Sequence, residues 1–121
     1  MVFYDNHGRP TAYTEDDIHI YLFTGKPVAY LHTDTVYGYN GRQFGWYENG
    51  WICDLNGYCV FFTENASGSG PVKPVKHVCP VKHVKRVKPV KHVRAVKHIR
   101  PIKKLSWSQL SGVVFFCTVN R

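Results

Sequence analysis

Hydrophobic and polar positions follow two different rhythms along this chain, and the change falls near residue 68. In the first part, short runs of β-branched and aromatic residues alternate with polar clusters. Four runs open on a glycine, GRPTAYT at Gly8, GKPVAYL at Gly25, GRQFGWY at Gly41 and GYCVFFT at Gly57, at separations of 17, 16 and 16 residues. Four others precede these glycines: Val2-Phe3-Tyr4, Ile18 to Phe23, Thr35 to Tyr39, and Trp51-Ile52-Cys53. Each unit closes on a polar cluster, such as Glu15-Asp16-Asp17 or His32-Thr33-Asp34. Asn40-Gly41 and Asn56-Gly57 are strong two-residue turn signals, because both residue types tolerate positive φ. His7-Gly8 and Thr24-Gly25 are weaker forms at the equivalent place, and no window carries a 3.6-residue apolar stripe. The pattern predicts an all-β meander over residues 1–66, a repeated β-hairpin domain of about eight short strands.

Two details refine the strands. Pro10 and Pro27, two residues after the turn glycine, remove a ladder donor, so their strands are expected at an edge or paired on one side. The doublets Ala12-Tyr13, Ala29-Tyr30, Gly45-Trp46 and Phe61-Phe62 share one repeat position. A small residue beside a large ring predicts close backbone approach, with the ring packed over a neighbour in the core.

After a flexible linker at residues 67–70, the rhythm becomes three. Val72, Val75, Val78 and so on through Ile99, Ile102 and Leu105 place an aliphatic residue at every third position for twelve triplets. Lys or Arg nearly always follows it, and Pro, His, Arg, Ala or Lys precedes it. An α-helix would carry this stripe around its axis, and Pro74, Pro80, Pro89 and Pro101 would break it. A strand would point successive members to opposite faces. Polyproline II, with three residues per turn and no internal hydrogen bonds, keeps all twelve on one edge. Residues 71–105 therefore read as an extended, polyproline-II-like or disordered basic tail. Its aliphatic edge needs a surface to bury against, and docking through that edge on its own or a neighbouring head is the expectation. Residues 106–121 read as a short anchor, with Trp107 and Leu110 as its grips and Val113 to Phe116 as a last strand or an apolar end needing a partner.

Charge sharpens the division. Residues 1–70 carry three cationic and eight acidic side chains, a net of −5, whereas residues 71–121 carry thirteen Lys or Arg and no acid. A tail of this kind seeks anions: nucleic acid, a membrane surface or its own acidic head. A domain of about 70 residues is near the lower limit for a self-sufficient core. Its aromatic content offsets this only in part, so self-association is expected.

No apolar leader precedes the domain and the C-terminal apolar run is too short to span a bilayer, which predicts a cytoplasmic protein with no membrane partner. Cys53, Cys59, Cys79 and Cys117 fit no zinc spacing. Cys53 and Cys59 flank a turn and can face each other across a hairpin, but buried free thiols in a reducing compartment are the expected state. The row His77, His83, His92 and His98 has no two members closer than six residues and lies among cations, so no metal and no cofactor is expected.

Candidate binding residues are Trp46, Tyr47 and Trp51, as rings able to stack on a ligand, together with Arg42 and the tail cations Lys82, Lys85, Arg86, Lys88, Lys91 and Arg94. Asp54 beside Cys53, or Asp16-Asp17 near His19, has no spacing that forces a catalytic arrangement, and no enzyme is expected.

The stretch from Ile20 to Gly68, through Gly25-Lys26-Pro27-Val28-Ala29-Tyr30, Tyr39-Asn40-Gly41-Arg42, Gly45-Trp46, Asn49-Gly50-Trp51 and Asp54, resembles the bacterial 4-fold β-flower proteins. A basic, proline-containing segment ending near Trp107-Ser108 resembles them too, so the resemblance spans residues 17–110 and leaves out the end after Gly112. It implies a petal-like all-β arrangement with fourfold symmetry, either among the four repeats or among four chains, and a tetramer among homo-oligomers. It implies no catalytic residues. The expected function is a non-enzymatic oligomeric scaffold or binding module. The alternative is polyanion or nucleic-acid binding through the tail, with Trp46, Tyr47 and Trp51 stacking bases.

Overall fold

The computed structural model describes residues 1–117. Eight strands follow the two-beat pattern of the first 62 residues: β1 Val2–Tyr4, β2 Pro10–Tyr13, β3 His19–Leu22, β4 Pro27–His32, β5 Thr35–Tyr37, β6 Gln43–Glu48, β7 Trp51–Asp54 and β8 Cys59–Phe62. Each pairs antiparallel with the next, and β8 returns to β1 through Tyr4 and Phe62, so the meander closes into a barrel. The four hairpins, β1-β2 through β7-β8, are the petals. The fourfold relation is therefore contained in one chain.

The petal turns are one structure repeated four times. The glycine N–H donates to the carbonyl three residues back, of Asp5, Leu22, Gly38 or Asp54, at 2.9–3.1 Å. The N–H of that earlier residue donates to the carbonyl just after the glycine, at 2.8–3.0 Å. These are three-residue loops ending on a left-handed glycine, as at Gly25 with φ 93°, rather than the two-residue turns expected from Asn-Gly. Each petal also carries a bulge at the same register, opposite Pro10, Pro27, Gln43 and Cys59. The prolines begin their strands at this bulge, where a missing donor costs nothing. That is how they sit in a barrel without edges, contrary to the expectation of edge strands.

Strand alternation separates two aromatic and aliphatic layers. Phe3, Ala12, Ile20, Ala29, Val36, Ile52 and Phe61 form one cluster inside the barrel. Their neighbours Tyr4, Tyr13, Tyr21, Tyr30, Tyr37 and Phe62 fall into other clusters, on the outer face. Ala12, Ala29 and Gly45 are small because eight short strands leave an interior just wide enough for side chains. A Cβ on Gly45 would run into the carbonyl of Cys53. One end of the barrel is filled by Phe44, Phe61, Phe115 and Phe116, with ring centroids 5.3–6.4 Å apart. Val113–Phe116 is a 3-10 helix and not a last strand, because Phe115 and Phe116 must both turn into this plug. Trp107 docks by pairing beside Cys59 and packs on Trp51 and Phe62. Residues 118–121 of the anchor segment lie outside the described residues.

Candidate functional site

The outer face of the barrel is a belt of aromatic rings. Tyr13 stacks on Tyr21 with centroids 6.0 Å apart, Tyr30 on Tyr37 at 5.9 Å, and Tyr4 on Phe62 at 5.4 Å. Each pair straddles a junction between neighbouring petals. The tail runs along this belt as a girdle, making one circuit past petals one to four.

Its register is set by the backbone. The N–H groups of His77, Arg86, Ala95 and Lys104 donate to the carbonyls of Gly8, Gly25, Gly41 and Gly57 at 2.8–2.9 Å. Those of His83 and His92 donate to Phe23 and Tyr39, each at 2.9 Å. Nine tail residues, three triplets, thus match one petal of sixteen or seventeen. Pro74 and Pro101 hold the places of His83 and His92 at the outer petals and donate nothing.

The threefold screw then assigns an edge to each triplet position. The first position gives its N–H to the barrel where it is not proline, most third-position cations lie over the belt, and the second position points away. Lys76 lies over Tyr4, Lys85 over Tyr21, Lys91 over Tyr30, Arg94 over Tyr37 and Arg100 over Trp46, at 4.6–5.9 Å from the ring centroids. Lys82 is 4.6 Å from the Tyr13 ring and 3.2 Å from Glu15, which Lys85 also contacts. Those two ammonium groups hold the Glu15 carboxyl below its usual range. Lys97 and Arg100 reach Asp34, and Arg100 also Glu48. Both ends of the circuit meet at Trp51, under Lys73 at 6.0 Å and Lys103 at 4.7 Å.

This arrangement reverses the expected docking. The tail lies on its own barrel, but through its cations and amides. Eleven of its twelve aliphatic side chains, Val72 to Ile102, are 83–96% exposed, and Leu105 is 63% exposed. The reason is the belt: quadrupolar rings and turn carbonyls attract cations and N–H groups, and offer an aliphatic edge less.

The proposed binding residues are placed as follows. Trp46 and Trp51 are 4% and 2% exposed beneath the girdle, packed as expected of core rings and not open for a ligand to stack on. Tyr47 is half-buried, its hydroxyl on the Met1 sulfur at 3.4 Å. Lys82, Lys85, Lys91 and Arg94 are brought together along the belt, whereas the Arg86 and Lys88 side chains take no ring or carboxylate among the described residues. Arg42 stands apart from the belt, beside a cleft between petals three and four. Lys73, Lys76, Arg100 and Lys103 belong to the belt and were missed, though their triplet position was the same as that of the residues named.

Cys53 and Cys59 do face each other across the last hairpin, with sulfurs 3.8 Å apart and unbonded. The hydrogen bond between them lowers Cys59 and raises Cys53, and the nearby Lys103 favours the Cys59 thiolate. Among the described residues no group of His, Cys, Asp and Glu is arranged to hold a metal ion, and no helix is long and apolar enough to cross a membrane.

The architecture is that of a single-chain, fourfold hairpin barrel bound by its own basic girdle. The family model described as "4-fold beta flower protein" matches residues 1–116, and the chain belongs to that family. The match takes in residues 1–16 and Val113 to Phe116, which the resemblance had left out. No curated protein and no solved structure matches significantly.

Proposed function

We propose that this chain is a non-enzymatic scaffold that self-associates through the outward aliphatic edge of its girdle. The observation that carries this reading is the row of Val and Ile side chains left 83–96% exposed around a barrel whose strands are all paired. A row of exposed aliphatic side chains about 9 Å apart along one edge offers a partner a repeated apolar contact. Burying one such side chain is worth about 1.5–3 kcal/mol, or about 60–120 Å² at about 25 cal/mol/Å². Twelve offer roughly 700–1,400 Å² in all, divided among neighbours, so each contact through this edge is smaller than the about 800 Å² per partner of a standard interface.

The occupant is a second copy. The edge itself carries no charge, and most of the cations beside it are engaged by rings or carboxylates of the barrel, which lowers the repulsion between two girdles. Because the edge encircles the barrel, one neighbour covers only a sector, and several copies are needed. In a tetramer each chain buries two of its four sectors. Four free thiols fit a cytoplasmic setting.

Light scattering at micromolar concentration tests the reading. Wild type is expected as an oligomer. Val81→Ser, Val84→Ser, Val87→Ser, Val90→Ser and Val93→Ser together are expected to give monomers with unchanged far-UV circular dichroism and an undisturbed girdle. A monomeric wild type, or a variant that still assembles, sinks it. Nanomolar binding of duplex DNA at about 150 mM salt would instead favour the polyanion reading.

A further inference from the structure

The fourfold repeat makes the chain its own control: equivalent places can be compared, and a cluster of departures stands out. A cleft recurs at three petal junctions. Between petals one and two it is lined by Pro10 and Phe23, between two and three by Pro27 and Tyr39, and between three and four by Gln43 and Leu55. The third, of about 310 Å³, is within the range of small-molecule sites.

Three departures converge on it, beside a cation without a turn carboxylate. Where the first two clefts have Pro10 and Pro27, the third has Gln43. Where the girdle sets Pro80 and Pro89, nine residues apart, the next place is His98, whose N–H donates to the Gln43 Oε1 at 2.8 Å. Where the girdle has His77, Arg86 and Lys104, it has Ala95, which opens the wall. Arg9 has its own turn's Asp5, with Nε 3.0 Å from Oδ2. The equivalents of Asp5 and Arg9 are Leu22 and Lys26 in the second petal and Gly38 and Arg42 in the third, so neither has that carboxylate, and Arg42 pairs with none among the described residues.

The consequence is an unpaired donor beside an unpaired cation. Gln43 is 4% exposed, and its Nε2 has no hydrogen-bond partner among the described residues. A buried donor left so is costly and calls for an acceptor. The guanidinium of Arg42 supplies a planar set of donors suited to a carboxylate. The opposite wall holds Asp54, whose carboxylate takes N–H donors from Asn56 and Tyr58 and the Ser108 hydroxyl at 2.7–2.9 Å. About four lone-pair sites are available on a carboxylate, so one remains for a further donor.

We propose that the cleft between petals three and four binds a small organic carboxylate that also carries an amino or hydroxyl donor. Arg42 and the Gln43 amide take the carboxylate, His98 fixes the Gln43 side chain, and Asp54 receives the ligand's donor. The proposal is independent of self-association through the girdle.

The test is an NMR titration of the full chain with glycine, acetate and methylamine as separate probes. Glycine is expected to shift the Gln43 side-chain amide and the His98 backbone amide saturably, acetate more weakly, and methylamine not at all. Gln43→Pro with His98→Pro restores the residues the other junctions use, so the barrel should tolerate it. It is expected to lower glycine affinity by about tenfold or more, as is Arg42→Met at an exposed position. No saturable shift in wild type, or affinity unchanged in Arg42→Met, overturns the proposal. If the double variant fails to fold, the Arg42→Met arm still decides.

Discussion

The barrel and the girdle solve the same problem in opposite ways. The barrel orders its backbone by pairing every strand and burying one residue of each alternating pair inside. The girdle has no pairing of its own. It borrows donors' partners from the petal turns, puts its cations on the barrel's rings, and leaves its aliphatic side chains in solvent. The difference teaches that an apolar repeat does not by itself say which edge is buried. A surface rich in ring faces and turn carbonyls selects cations and amides first, and what is left facing out is then the surface offered to a partner.

Trp51 belongs to both regions, so its removal should have the largest effect. Its ring packs on Phe62 and Trp107, its Nε1 donates to the Ser67 carbonyl at 3.0 Å, and both ends of the girdle lie over it. Trp51→Ala is expected to cost about 3–5 kcal/mol and to lower the melting temperature by about 10 °C or more in a domain of this size. Loss of girdle order without loss of barrel stability would mean that the ring serves the tail alone.

Gly25→Ala should separate the two regions. Gly25 sits at φ 93°, and a Cβ there would run into the carbonyl of Val84 in the passing girdle. Strain and displacement together are expected to cost about 1–3 kcal/mol. Trypsin should then cut faster at Lys82 and Lys85 while the barrel's circular dichroism holds. Unchanged cleavage would show that the turn does not seat the tail.

The aliphatic triplets showed that the tail's positions sort in threes, and the glycine spacing of 17, 16 and 16 residues made the strand count and the meander legible in the sequence. Three things were not. The orientation of the girdle depends on Tyr13, Tyr21, Tyr30 and Tyr37 forming an outer belt, and their neighbours Ala12 and Ala29 mark that only once the barrel's narrow interior is known. The 3-10 helix at Val113–Phe116 follows from the open end of the barrel, a tertiary demand on a run of β-prone residues. Gln43 was visible as the one polar residue in a column of Pro10, Pro27 and Cys59. Its meaning depended on His98 lying across from it, fifty-five residues away.

A smaller effect should follow from removing one cation. Lys91 has its ammonium 4.6 Å from the centre of the Tyr30 ring, next to the His92 amide bonded to Tyr39. An exposed cation–π contact is worth about 0.5–1 kcal/mol, so Lys91→Met should speed hydrogen exchange of the His92 amide by about two- to fivefold. Unaltered exchange would shift the credit for seating the girdle to its backbone hydrogen bonds.

The smallest effect is electrostatic and concerns the carboxylates that meet the girdle. Lys85 and Lys82 hold Glu15 below its ordinary 4.5. At Asp34 burial acts upward, but the Thr35 hydroxyl, a backbone amide and Lys97 outweigh it and hold the group below 3.8. A group whose folded value is depressed binds fewer protons when folded than when unfolded, so its contribution to stability is complete above the ordinary value. It is lost as pH falls through the folded one. Wild type should therefore hold its girdle more firmly than Glu15→Gln with Asp34→Asn at about pH 6, with the difference closing below about pH 4. Because these pairs are exposed, the difference should be small and shrink in high salt. Asp16 offers a control, since burial acts upward on its carboxyl but hydrogen bonds from His19 and Ile18 within the barrel's own loop, rather than the tail, hold it down. The measurement is exchange of the Arg86 and His92 amides, one beside each half of the contact, across that pH range. A difference between wild type and variant that survives in full at about pH 2 would mean that these carboxylates act by shape and not by charge, and the ring belt alone would then account for the girdle.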